Sequence, residues 1–192
     1  MKKLLALLLA LVLVMGLVAC GEKEPEEPEV PETTADLAIE SPASALELLE
    51  KVWNLYEEKF YAFGGDGLNI VDGAPGAYTD MEALQSQLLV PVDQQANISE
   101  IASLFHGMMA NNFTCGAFKM ADGVDAAAFA DTMYEAAMNN QWMCGIPERV
   151  MVAVVGDCVV MVFGLNDAVN PFEAKLMEAY SYAEIKYSEA IA

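Results

Sequence analysis

RVMVAVV at 149–155, GD at 156–157 and CVVMVF closed by Gly164 at 158–164 decide the fold. Two dense, β-branched apolar runs flank a Gly-Asp pair, the pattern of a tight β-hairpin. Downstream, Asn170-Pro171-Phe172-Glu173 supplies a cap, a proline for the first turn and an acid near the helix start, so a helix running through Phe172, Leu176 and Tyr180 is predicted. Ile185 and Tyr187 then alternate with Glu184 and Lys186, a last strand over 183–188. Upstream, Gly145-Ile146-Pro147 breaks an Ala-rich helix over 124–140 that sets Phe129, Met133 and Ala136 on one face. Before it, residues 113–120 read as a strand ended by Asp122-Gly123. The resulting order β-α-β-β-α-β is that of a ferredoxin-like unit with an antiparallel four-stranded sheet, and the fold class is α+β.

Residues 41–111 predict a mainly helical segment. Leu46, Leu49, Trp53, Tyr56 and Phe60 recur at three- and four-residue steps, Ser41-Pro42 offers a cap, and Gly64-Gly65 stops the helix near residue 63. A glycine-rich loop over 64–78 follows, with a short strand at 68–71. Thr79-Asp80-Met81-Glu82 resembles a capping box opening a second helix through Leu84 and Leu88, closed before Pro91. A third helix over 98–110 uses Ile98, Ile101, Phe105, Met108 and Met109 as its buried side.

The chain of 192 residues carries 9 Lys+Arg against 29 Asp+Glu, a net charge of −20. Nucleic acid is excluded as a partner, because phosphate binding needs clustered bases. The charge is unevenly placed. Residues 1–19 hold Lys2 and Lys3, no acid, and an apolar run too short to span a bilayer, which reads as a secretory signal. Leu17-Val18-Ala19-Cys20 resembles the lipobox of bacterial lipoproteins, in which the cysteine is acylated on sulfur, with palmitate or a similar chain, and becomes the first mature residue. Residues 20–40 then form an acidic, proline-punctuated tether with Pro25, Pro28 and Pro31, too polar to pay for its own ordering. Fully extended it reaches roughly 60 Å. Residues 41–192 make one domain with six basic and 21 acidic residues.

The segments NNFTCG (111–116), NQWMCGIP (140–147), VGD (155–157) and FG (163–164) are similar to a group of uncharacterised lipoproteins of clostridia-like Gram-positive bacteria. The similarity covers residues 111–182. It implies an extracytoplasmic, membrane-anchored location and no particular activity.

The residues able to carry chemistry are few. His106 is the sole imidazole, and a general base needs an orienting partner. Met108 and Met109 beside it suggest soft-metal ligation, but on a helix Met108 points away, and ten methionines in the domain are more simply core filler. Asp66, Asn69 and Asp72 among Gly65, Gly67 and Gly73 offer oxygens to Ca²⁺, without the EF-hand spacing. No catalytic residue, metal ligand or cofactor is assigned. Cys115, Cys144 and Cys158 leave two readings: a Cys115–Cys144 disulfide, placed at one end of the sheet by the expected topology, or three small buried hydrophobes. Two functions fit. One is a non-catalytic binding or interaction module recognising an envelope protein, polymer or solute. The other is an envelope enzyme with a carboxylate or metal-assisted site near the 64–78 and Cys144 loops. A deep pocket lined by several converging carboxylates would mark the second; a broad sheet face or shallow groove without such convergence would mark the first.

Overall fold

The computed structural model describes residues 41–191. The signal over 1–19, Cys20 and the tether over 21–40 lie outside the described residues. In chain order the elements are α1 (Ala45–Trp53), β1 (Ala62–Gly65), β2 (Ile70–Asp72), β3 (Gly76–Ala77), α2 (Leu84–Leu88), β4 (Ile98–His106), β5 (Phe113–Met120), α3 (Ala126–Met138), β6 (Arg149–Val155), β7 (Cys158–Gly164), α4 (Asn166–Ala179) and β8 (Glu184–Ala190). Short 3-10 turns, Val92–Asn97 and Ala110–Asn112, precede β4 and β5.

All eight strands join one antiparallel sheet, ordered β2-β1-β4-β5-β7-β6-β8, with β3 also paired to β4. The 149–164 hairpin forms with unbroken register from Arg149↔Gly164 to Val155↔Cys158. Gly156, at φ 63, supplies the left-handed residue the turn demands. Every residue of β7 is buried. The reason is that helices cover both faces of the sheet, so the central strands carry apolar side chains on both sides rather than alternating.

On one face α1 and α4 bury Leu48, Leu49, Trp53, Phe172 and Leu176 against Leu104, Phe113, Cys115, Met151 and Val160. On the other, α2 and α3 bury Leu84, Leu88, Phe129 and Met133 against Phe105, Phe118, Val152, Met161 and Phe163. Each fully buried aliphatic or aromatic side chain contributes about 1.5–3 kcal/mol, so the two cores are the main stabilising contribution.

The mixed α+β class and the antiparallel sheet agree with the sequence; several details do not. The β-α-β-β-α-β element order appears over β5 to β8, but not as a four-stranded ferredoxin-like sheet. In that fold the fourth strand flanks the first. Here β4 already occupies the free edge of β5, and β8 pairs with β6 on the far side. The helix expected over 98–110 is strand β4. Ile101 to Phe105 are all buried, on alternating faces, and a strand buried on both sides mimics a helical stripe. Met108 and Met109 are exposed, at 83% and 47%.

The first helix stops at Trp53 rather than near 63, and its cap is Ser44, whose hydroxyl accepts from Glu47 N. Tyr56 and Phe60 continue the stripe only by packing their rings against Trp53, Tyr56 tilted and Phe60 edge-on. The segment expected to be mainly helical therefore gives four strands of the sheet. α4 begins at Asn166, ahead of the Asn170-Pro171 signal, because the Glu148 carboxylate accepts from Asn166 N at 2.9 Å and does the capping. α3 is capped by Asp125, whose carboxylate accepts from Ala127 N and Ala128 N.

The described chain starts at the hairpin-turn end of the sheet. The Ser41 hydroxyl bonds the Asp157 carboxylate and accepts from Asp157 N. Lys119 donates to the carbonyls of Pro42 and Ala43 and pairs with Asp157 at 3.1 Å. Burial works against the Asp157 charge, but Ser41 and Lys119 outweigh it and hold its carboxyl below the usual range.

Candidate functional site

At the other end of the sheet, where β5 begins and β7 ends, three connections that are distant in sequence surround a cavity of about 480 Å³. Residues 65–67 and Ile70 form one wall, Gln85, Ser86, Gln87 and Leu89 of the α2 region a second, and 140–143 after α3 a third. The floor is Phe63, Phe105, Thr114 and Phe163. This size and mixture of rings with a few polar groups is typical of a small-ligand pocket.

The first wall is built by close backbone packing. Gly64 lies against the 74–76 turn, where a Cβ would sit 2.1 Å from Gly76 N, and Gly65 adopts φ +82. Ser103 clamps the same corner, its hydroxyl donating to Gly65 O at 2.6 Å. Asp66 is the keystone. One carboxylate oxygen accepts from Leu68 N and Asn69 N; the other accepts from Thr79 N, Thr79 Oγ1 and Asp80 N. Burial alone would raise its carboxyl. The bonds from Thr79, Leu68 and Asn69 reverse that and hold it far below the ordinary carboxylate value. Tyr78 donates to Gln87 Oε1 at 3.1 Å, and burial, with Asp80 and Asp66 nearby, pushes its phenol up to about 12.

The third wall is pinned by Asn111, whose Nδ2 donates to Met143 O at 3.0 Å and Gly145 O at 2.7 Å. The bracketed residue, Cys144, is exposed at φ 60. Trp142 packs on Phe163 with ring centroids 4.8 Å apart, and its Nε1 is shielded from solvent without a protein acceptor. The carboxamides of Gln85, Asn140 and Gln141 make no hydrogen bond among the described residues, so each presents a donor and an acceptor to a ligand.

The two loops singled out from sequence, 64–78 and the one bearing Cys144, thus meet at one cavity, but not through carboxylates. Asp66 is the single acid in the lining, and its acceptors are taken. Asp66, Asn69 and Asp72 do not form a cation cage: Asp72 lies on exposed β2, and Asn69 Nδ2 turns to Thr79 Oγ1 at 3.4 Å. Among the described residues no cluster of three His, Cys, Asp or Glu is suited to a metal. His106 stacks on Phe60 at 5.6 Å, and its Nδ1 accepts from Met108 N.

Cys115 and Cys144 are both free. Cys115 faces the α1–α4 core, whereas Trp142, two residues before Cys144, packs on the opposite face of the sheet, and the two thiols are not bridged; of the other reading, Cys115 and Cys158 are buried but Cys144 is exposed. Burial pushes the Cys115 thiol well up, and burial followed by the Asp157 charge takes Cys158 to about 12.

A second groove of about 610 Å³ lies between the 55–60 segment and α4, bordered by Glu57, Glu58, Asp167 and Glu178. Its one base, Lys175, is spent on Leu55 O at 2.7 Å.

Sequence reasoning missed Gln85, Gln87, Asn140, Gln141 and the ring floor as site residues. Nothing local marks them, because the sheet order alone brings 65–67, 85–89 and 140–143 together. No family model matches the chain, and no curated protein or solved structure shows significant similarity to it.

Proposed function

We propose that the chain is an exported protein held at the extracytoplasmic face of the bacterial membrane through acylated Cys20, and that residues 41–192 are a non-catalytic binding module. The observation that carries the second half is the make-up of the 480 Å³ pocket: four aromatic rings, three solvent-facing carboxamides not engaged by the described residues, and no free charge. Such a lining recognises shape and hydrogen-bonding pattern, and it offers no group to move a proton or attack a bond. Supporting the first half are the Leu17-Val18-Ala19-Cys20 motif and the resemblance to Gram-positive surface lipoproteins. No helix among the described residues is long and apolar enough to cross a membrane. Ser41 lies at the end of the sheet away from the pocket.

The alternative, an envelope enzyme, draws on the meeting of the 64–78 and Cys144 loops at one cavity. It needs a titratable group there that is not already committed, which Asp66 is not.

The location is tested in a Gram-positive host fed a clickable palmitate analogue. The wild-type chain is expected in the membrane fraction carrying label, and Cys20→Ala in the medium without it; equal partition of both would refute the anchor. The pocket is tested by thermal shift against neutral peptides and oligosaccharides, each mixture also analysed for turnover. Binding without conversion supports the module, and conversion abolished by a change in the pocket lining supports the enzyme.

A further inference from the structure

β2 is the outermost strand of the sheet and pairs with β1 alone. All three of its residues are exposed, Ile70 at 66% and Val71 at 39%, and Leu68 just before it is 77% exposed. The edge is short and carries one charge, Asp72, at its far end, but its aliphatic part has no lysine or proline to blunt it and is a template for another short strand. The opposite edge, β8, is dressed with Glu184, Lys186 and Glu189. Ile70 also lines the pocket, so the open edge runs directly into the cavity, and Met143, 77% exposed, stands on the cavity's other rim.

We propose that the β2 edge and the pocket together bind an extended, neutral or basic peptide segment of a partner protein, which adds as a strand to β2 and seats one large apolar side chain in the cavity. The inference rests on the binding-module reading and names the ligand class of that site. Strand addition supplies affinity through the main chain, and the cavity supplies selectivity through one side chain. The free carboxamides of Gln85 and Gln141 each match the donor and acceptor of a peptide unit. Charge restricts the sequence. No Lys, Arg or His lines the cavity, and the domain holds 21 acids against six bases, so an acidic segment, including this chain's own tether, is repelled. The same repulsion opposes edge-to-edge pairing of two copies. A sugar would call for an exposed aromatic platform, whereas Phe105 and Phe163 are 5% and 3% exposed and the rim is aliphatic and thioether.

The test selects displayed random heptapeptides on the full chain bearing Cys20→Ala, then measures the enriched peptides by fluorescence anisotropy. Expected are peptides with a central aromatic or aliphatic residue and no net negative charge. Affinity should fall at least tenfold when that residue is alanine, when alternate peptide nitrogens are methylated, and in Ile70→Glu and Met143→Glu, both surface changes that leave the cores intact. Enriched peptides indifferent to those two variants, or to methylation, overturn the proposal. Failure to enrich peptides while neutral oligosaccharides bind with a change in Trp142 fluorescence overturns the peptide class and leaves the binding module standing. Failure of both overturns the two together. An Ile70-dependent dimer in light scattering, with no peptide bound, makes a second copy the occupant and also overturns it.

Discussion

Asp66 offers the sharpest test of how the pocket is held. In Asp66→Asn the shape is kept, but one acceptor oxygen becomes an NH₂. The least costly rotamer turns that group toward Leu68 N and Asn69 N, since the other oxygen serves three donors. Two backbone donors then face a donor. An unmade bond to a buried group costs about 1–3 kcal/mol; both donors belong to exposed residues that water can reach, so the low end applies, about 1–1.5 kcal/mol each and about 2–3 kcal/mol in total. That corresponds to a melting point lower by roughly 5–10 °C for a domain of this size.

Urea unfolding followed by tryptophan fluorescence measures the difference directly, and its pH dependence identifies the cause. The folded carboxyl lies far below its unfolded value near 4, so the stability it contributes is complete above pH 4 and is lost as pH falls. The unfolded wild type takes up a proton in this range and the folded form does not. The gap between wild type and Asp66→Asn should therefore narrow by about 1.4 kcal/mol for each pH unit below 4. Asp131 and Asp157, also held low, titrate identically in both chains and cancel. A variant within about 0.5 kcal/mol of wild type at pH 7, or a gap that does not change between pH 4 and pH 2.5, would refute the keystone role.

Three further outcomes are expected. In the folded chain bearing Cys20→Ala a disulfide-exchange reagent should react with Cys144 quickly and leave Cys115 and Cys158 untouched, with both appearing on unfolding; loss of two of the three thiols in the unfolded, unreduced protein would show a bridge after all. Lys119→Met removes the bonds to Pro42 O and Ala43 O, should cost about 1 kcal/mol, and should speed amide exchange over residues 41–48 while leaving the pocket walls unchanged. Gly64→Ala forces a Cβ into the backbone of residues 74–76 and should cost about 2–3 kcal/mol, read by chemical denaturation, with loss of exchange protection in β1 and β3 before the rest of the sheet.

The second half of the domain was largely readable from sequence because its signals are local. Gly156-Asp157 makes the hairpin and Gly164 ends its second strand, although along β8 a register shift breaks the alternation and sets Ile185 and Tyr187 against opposite cores. The first half was not, because burial on both faces erases the period that separates helix from strand. Ile101-Ala102-Ser103-Leu104-Phe105 fits either until its neighbours β1, β3 and β5 are known. The strand-order error follows from the same cause: once β4 takes the edge of β5, the last strand has to pair elsewhere. For the site, the 64–78 and Cys144 loops were named from composition, but their meeting, and the part played by Gln85 and Gln141, depend on strand order.

The attachment of Ser41 beside Asp157, with the pocket at the far end of the sheet, has a mechanical consequence. Hold the domain at Ser41 and pull on whatever occupies the pocket, and the Ser41–Asp157–Lys119 latch passes the load into the hairpin turn and along the axes of β5 and β7. Their seven registered pairs, Phe113↔Gly164 to Lys119↔Cys158, then lie across the line of pull and hold the two strands as one unit rather than being unzipped one after another.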